Sequence, residues 1–369
     1  MASARATTIA QGFSRKLLKE MYDKSILDTI VNRDYEGEVN GVGSKLNILN
    51  ISRITEKTYD GSNLSADSLY ENNATLTIDQ YKSFYWQEKT LDNWLSYIKD
   101  PHSTVVTQKA EERNKNMDEY VFGKYADIGA GNRVGTDYTT GTAVVTATTG
   151  QVEGSGGTAW DSTMVGRGFK TSGMSKWYRI ASVTDPDTLY IEDDLDDVAS
   201  QYTGGAFGSS TYTIEAITPV AITTTNILQK VGELKQKLDI AERYDLNAVP
   251  TEGRFLIVPP EFMNIITRGT GVALHIPEVY NNLVQKGFET MLQGFRVFTS
   301  NRLTGNNTDG WRVIAGHPSW MTFAEKLLEA GMEEDLIANF GSAYKDLFVY
   351  GAKVTDARRH FAAEGYWTF

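Results

Sequence analysis

Gly253-Arg254-Phe255-Leu256-Ile257-Val258-Pro259-Pro260-Glu261-Phe262 is the run on which the fold turns. Phe255 to Val258 are four consecutive apolar residues without the polar alternation of a half-exposed strand, so they read as a buried strand. Pro259 and Pro260 cannot extend its ladder, and proline suits the first turn of a helix, so Pro259-Pro260-Glu261-Phe262 ends the strand and opens a helix. Residues 249–254 supply the turn that enters it. This step predicts a sheet with helices packed on it.

Working outward, residues 223–245 carry Ile227, Leu228, Val231, Leu234, Leu238 and Ala241 on one helical stripe, with Thr224 or Thr225 as the candidate cap. Downstream strands are expected at 295–300, 311–315 and 346–355. Helices alternating with strands define an α+β or α/β layer. Upstream, residues 129–221 shift to Gly, Thr, Ser and Tyr, with strand-like runs at 142–147, 164–170, 176–183, 188–192 and 211–217. Asp185-Pro186-Asp187 turns between two of these runs, and the Gly-rich tract 154–157 reads as a mobile loop. The stretch is expected to be a small all-β sandwich or barrel inserted into the α+β body.

Asp100 followed by Pro101 reads as an N-cap with proline at the first helical position. The helix runs to about residue 128 through Val105, Val106, Ala110, Met117, Tyr120 and Val121, and its roughly 28 residues span about 40 Å. Residues 108–116 are almost all polar, so one face is solvated or in polar contact, which is the pattern of a spine rather than a core helix. Residues 91–99 precede it with Leu91, Trp94, Leu95 and Ile98 at helical spacing. Two strand-like stretches, 44–59 and 74–86, are joined by the long polar connection 60–73. A two-stranded arm of this length is marginal alone, so it needs support from its own chain or another copy. Residues 11–31 form an amphipathic helix through Phe13, Leu17, Leu18, Met21, Tyr22, Leu27, Ile30 and Val31, docked on its own core or on a neighbour.

The 369 residues allow two to three domains, and 41% hydrophobic with 22% charged residues is an ordinary globular balance. There is no cysteine, which excludes disulfides, thiolate metal sites and cysteine nucleophiles. The formal net charge of −11 argues against a general DNA binder, because non-specific affinity comes from cations on phosphates. No apolar run approaches the roughly 18 residues of a membrane span, and a soluble chain outside the secretory route is expected.

Motifs for chemistry are sparse. Gly41-Val42-Gly43-Ser44-Lys45 has the wrong spacing for a phosphate loop and leads into a strand, and no GxSxG elbow occurs. The histidines, His102, His275, His317 and His360, form no ligand pair. In the acidic run Glu192-Asp193-Asp194-Leu195-Asp196-Asp197, the carboxylates of Asp193, Asp194, Asp196 and Asp197 are weak candidates for a Ca²⁺ site, weighed against a solvated loop. Trp160, Trp177, Tyr178, Tyr190, Tyr202 and Tyr212 form either a sugar- or protein-binding face or the core of the β stretch. No catalytic constellation remains, so neither an enzyme nor a cofactor is expected.

The order of these parts resembles the major capsid proteins of tailed bacteriophages, which have the Hong Kong 97 fold. The matching runs are 32–38 (NRDYEGE) entering the arm, 253–262, 294–301 (GFRVFTSN) and 350–354 (YGAKV). The resemblance implies an N-terminal arm and helix over 1–43 and an extended hairpin loop over 44–88. It implies a peripheral domain over 89–128 and about 305–369, a β insertion domain over 129–221 and an axial domain over 222–304. It also implies hexamers and pentamers in a shell that encloses DNA, with a separate scaffolding protein, a portal and a decoration protein as partners, located in the virion. Phe13, Leu17, Met21, Arg53, Lys57, Asp60, Tyr70 and Glu71 are the interface candidates, and Lys57 is the candidate lysine for the covalent crosslink some members form. The alternatives are an encapsulin-type shell, which has the same fold, and a glycan-binding module carried by the β insert.

Overall fold

The computed structural model describes residues 26–35, 37, 41, 43–51, 71–89, 101–193, 202–240, 249–268, 291–333 and 340–369. A one-turn helix α1 (Leu27–Ile30) is followed by strands β1 (Lys45–Ile51), β2 (Glu71–Thr77) and β3 (Gln80–Lys89) and the long helix α2 (Pro101–Phe122). Next come β4 (Arg133–Val134), β5 (Thr136–Tyr138), β6 (Thr142–Val145), β7 (Gln151–Ser155), β8 (Gly168–Thr171), β9 (Tyr178–Asp185), β10 (Thr188–Glu192), β11 (Phe207–Ser210), β12 (Tyr212–Thr218) and β13 (Val220–Ala221). The C-terminal part holds α3 (Ile227–Asp239), β14 (Phe255–Val258), α4 (Pro260–Arg268), β15 (Met291–Leu292), β16 (Phe295–Thr299), β17 (Gly305–Asn306), β18 (Gly310–Gly316), β19 (Thr322–Glu333), β20 (Gly341–Lys353) and β21 (Ala362–Thr368).

The 255–258 run is the buried strand its sequence predicts. All four side chains are fully buried, and β14 lies between parallel β16 and antiparallel β18 in a mixed sheet of order β13-β21-β18-β14-β16-β15. Each such side chain contributes roughly 1.5–3 kcal/mol by leaving water. Helix α4 begins at Pro260, and α3 buries Ile227, Val231, Leu234 and Leu238 into the same core. Neither Thr224 nor Thr225 caps α3. Asn226 precedes the helix, and its side chain accepts from Thr223 N and donates to Ala221 O, holding the entry turn instead.

Residues 74–86, read as one strand, are two. The chain breaks at Ile78-Asp79, after which β2 pairs with β1 while β3 crosses to pair with β20 in a sheet of order β19-β20-β3. The crossing is a close backbone approach. A Cβ on Gly351 would lie 2.6 Å from Thr77 O and 3.1 Å from Ile78 Cα, so only glycine lets β20 pass beneath the break.

Residues 136–218 form an eight-stranded antiparallel sheet, order β11-β6-β7-β10-β9-β8-β12-β5, around a separate core that includes Val152, Trp160, Phe169, Ile180, Leu189, Tyr212 and Ile214. The five expected strands are present, 188–192 at its expected bounds and the other four with shifted ends, and the turn at Pro186-Asp187 is in place. Gly154, assigned to a loop, instead sits in β7, where its N–H donates to Asp187 O at 2.8 Å and a Cβ would meet Trp160 at 2.9 Å. Close packing, not mobility, accounts for glycine there. Among the described residues no helix is long and apolar enough to cross a membrane.

Candidate functional site

The β1–β2 ladder runs from Lys45 opposite Thr77 to Ile51 opposite Glu71. One face of its base carries Leu46, Ile48, Ala74 and Leu76, which with Ile78 bury against Ala324 and Val349 of the three-stranded sheet. The alternation that marked residues 74–78 as a strand thus anchors the arm root on its own chain. Glu71 opens β2. Arg53, Lys57, Asp60 and Tyr70 lie outside the described residues, as do Phe13, Leu17 and Met21. Of the expected N-terminal helix, the described end docks on its own core. Leu27 and Ile30 are fully buried, Trp320 Nε1 donates to Ile30 O at 2.9 Å, and Arg33 pairs with Glu325 at 2.7 Å.

Helix α2 divides its polar middle between solvent and buried polar contact. Lys109, Arg113 and Asn114 are buried, whereas Gln108, Glu111, Glu112 and Lys115 are exposed. Lys109 and Arg113 both bind Asp346 of β20, and they lie over the rings of Phe84 and Phe348 at 4.2 and 4.7 Å. Burial pushes the Lys109 ammonium down to about 8, against the opposing pull of Asp346. Tyr120 OH donates to Asp79 at 2.9 Å beside the strand break, and burial followed by this contact raises its phenol above the ordinary value. Further along, Asp118 meets Arg302 at 2.5 Å, where burial lifts the carboxyl to about 6 despite the guanidinium.

A second charge network joins the eight-stranded sheet to the mixed sheet. Arg133 donates through Nε to Glu364 Oε2 and through Nη1 to Glu215 Oε1, both at 2.9 Å. Its Nη2 donates to Ile128 O at 2.7 Å. Arg167 and Arg312 complete the shell around Glu364 at 3.0 and 2.7 Å, and Gly168 N donates to Glu215 at 2.8 Å. Burial alone would raise the Glu364 carboxyl, but the guanidiniums of Arg167, Arg133 and Arg312 outweigh it and hold the group below the ordinary glutamate value. Sequence reasoning missed both networks; the available signal was a lone charge inside an apolar strand, as in Ala362-Ala363-Glu364-Gly365-Tyr366-Trp367.

Asp193 is committed to Lys176 at 2.5 Å and to Thr203 N at 3.0 Å, while Asp194, Asp196 and Asp197 lie outside the described residues. Burial works to raise the Asp193 carboxyl, but Lys176 and Thr203 together bring it below the usual range. Among the described residues no group of three or more His, Asp or Glu side chains could hold a metal. His317 bonds Ser319 through Nδ1 at 2.6 Å, and His360 is buried against Phe361. Of the six aromatics, Trp160, Tyr178, Tyr202 and Tyr212 are buried core residues, and Trp177 and Tyr190 are half-buried.

In the described geometry the buried charges hold sheets, spine and arm root together. No family model matches the chain, and no curated protein matches it by sequence. Solved structures do. One from Mycobacterium phage Che8 covers 93% of this chain and 91% of its own at 18% identity with a TM-score of 0.54. The capsid structure of the Cyanophage P-SCSP1u covers 93% and 88% at 14% identity with a TM-score of 0.51. The chain therefore has a mixed α and β fold similar to that of a phage capsid structure.

Proposed function

We propose that this chain is the major capsid protein of a tailed bacteriophage, a non-enzymatic subunit that assembles into the icosahedral shell enclosing double-stranded DNA. The observation that carries the reading is the capsid fold over 93% of the chain. The finer assignment is the Hong Kong 97 arrangement. The N-terminal arm and helix occupy 1–43, and the extended hairpin loop 44–88 sends its returning strand β3 onto the peripheral sheet. The peripheral domain comprises 89–128 and about 305–369, the β insertion domain 129–221 and the axial domain 222–304. The separate core of the eight-stranded sheet supports the insertion, and the anchored arm root supports an arm that reaches toward a neighbouring subunit. Copies form hexamers and pentamers with a separate scaffolding protein, a portal and a decoration protein, assembling in the host cytoplasm to become part of the virion. The acidic balance suits a container that holds DNA without adsorbing it.

The test is electron microscopy and sedimentation of the chain produced with its scaffolding partner. Closed shells are the expected result, and a monomer under all assembly conditions overturns the reading. DNA-filled heads with tails from infected cells would separate a phage head from an encapsulin-type cage loaded with enzyme.

A further inference from the structure

A cavity of about 70 Å³ lies where the arm root meets the three-stranded sheet, between Tyr35, Ile48 of β1 and the start of β19. Strand alternation decides which side chains face it. Phe323 and Val354 enter the large core, whereas Ala324 and Val349 pack with Ile48 under the arm root. Thr322 shares the side of Ala324, two residues on, and Thr355 follows Val354 in extended conformation. Both threonine side chains therefore turn toward Ile48 and line the cavity.

The lining is cationic and rich in hydrogen-bond donors. Thr355 is only 6% exposed, and its side chain makes no capping bond to the short 3₁₀ turn Asp356–Phe361 that it precedes. A buried hydroxyl in that state recovers its hydrogen bond only from something inside the cavity. Arg358 reaches the same wall, where Nη1 donates to Ser319 O at 3.3 Å, and no carboxylate among the described residues pairs with it. None of the lining residues is acidic. The positive field is felt at neighbouring His317, whose imidazole is held below its ordinary value by burial and then by Arg254 and Arg358. Asn32 completes the wall, and because its Oδ1 already accepts from Asp34 N at 2.9 Å, the amide N–H₂ is the end left to donate.

We propose that this cavity binds a small tetrahedral oxyanion, inorganic phosphate or sulfate. Arg358 takes the charge, and the hydroxyls of Thr322 and Thr355 with the Asn32 amide donate to its oxygens. A divalent cation is disfavoured by the arginine and by the lack of carboxylates, and a sugar or nucleotide needs a pocket of several hundred Å³. Bound there, the ion ties the chain entering the arm and β1 to the start of β19 and the segment that follows β20, so it fastens the arm root to its own chain. The cavity is made by one chain alone, so its test stands apart from that of the shell reading.

The experiment is calorimetric titration of the full chain with potassium phosphate and, at matched ionic strength, with potassium chloride. One saturable site for phosphate and none for chloride is the expected result. Arg358→Gln and Thr355→Val are each expected to weaken phosphate binding by about tenfold or more. Thr355→Val should do so with an unchanged or raised melting temperature in the absence of phosphate, because it removes a buried hydroxyl that caps nothing; this separates lost binding from lost folding. Absence of saturable phosphate binding leaves the cavity to water and overturns the proposal. So does an equal response to chloride, or wild-type affinity in either variant.

Discussion

Arg133 Nε donates to Glu364 Oε2 at 2.9 Å within the mixed sheet, where β4 pairs with β21, and the same guanidinium reaches across to Glu215 of the eight-stranded sheet at 2.9 Å. Glu364 is fully buried, so its charge is tolerable only while the surrounding guanidiniums are in place. Glu364→Ala leaves three arginines facing one another and is expected to destabilise the chain by about 3–5 kcal/mol in urea unfolding. Wild-type stability at the two-sheet junction would contradict this.

The same group sets an acid limb. Its folded pKa lies below the ordinary 4.5, so its contribution is complete above that value and is lost as pH falls through the folded pKa. Unfolding midpoints measured from pH 6 downward should therefore drop less steeply below about 4.5 in Glu364→Gln than in wild type.

Asp346 is one anion serving two buried cations, and the partners are not equivalent to it. Asp346→Asn strands Lys109 and Arg113 and is expected to cost about 3–5 kcal/mol. Lys109→Met keeps the Arg113–Asp346 pair and removes an ammonium that burial already disfavours, so it should lie within about 1 kcal/mol of wild type. Equal losses in the two variants would show that the pairings carry similar weight.

Gly351 lets β20 pass under the strand break. In Gly351→Ala the new methyl meets the backbone of Thr77 and Ile78, which cannot swing aside like a side-chain tip. A loss of about 1–3 kcal/mol is expected, with the arm root displaced. Protease sensitivity rising specifically within 44–79 would report that displacement; an unchanged digestion pattern would count against it.

For the proposed shell, the charge of −11 is multiplied by every copy. Screening by salt shortens the reach of that repulsion, so light scattering should show faster assembly on going from low to moderate ionic strength. Assembly that slows over the same range would mean that attractive ion pairs between copies dominate.

Much of the architecture was legible because it rests on local pattern. Phe255 to Val258 have no polar face to offer water, and Pro260 can only begin a helix, so that step was determined wherever the strand was placed. The five principal strands of residues 136–218 followed from apolar alternation. By contrast, Gln151–Ser155 contains one large apolar residue and a glycine, and its strand exists because β6 and β10 pair with it on either side. Thr322–Glu333 carries Lys326, Glu325 and Glu329 within a strand, and its pairing with β20 overrides that polarity.

The sequence by itself determined the order of strand, helix and arm, the absence of thiol chemistry and the charge that any assembly must overcome. Tertiary structure alone decided that the polar residues of 108–116 divide between solvent and a buried bond to Asp346. It also decided that 74–86 divides at Ile78-Asp79 and that Arg133, Glu215 and Glu364 meet. The physical reason is common to all three. Periodicity records which face of an element is apolar, but a buried charge or a close backbone crossing depends on a partner more than 80 residues or even 200 residues away, such as Glu215 or Glu364 for Arg133, and no local pattern encodes that partner.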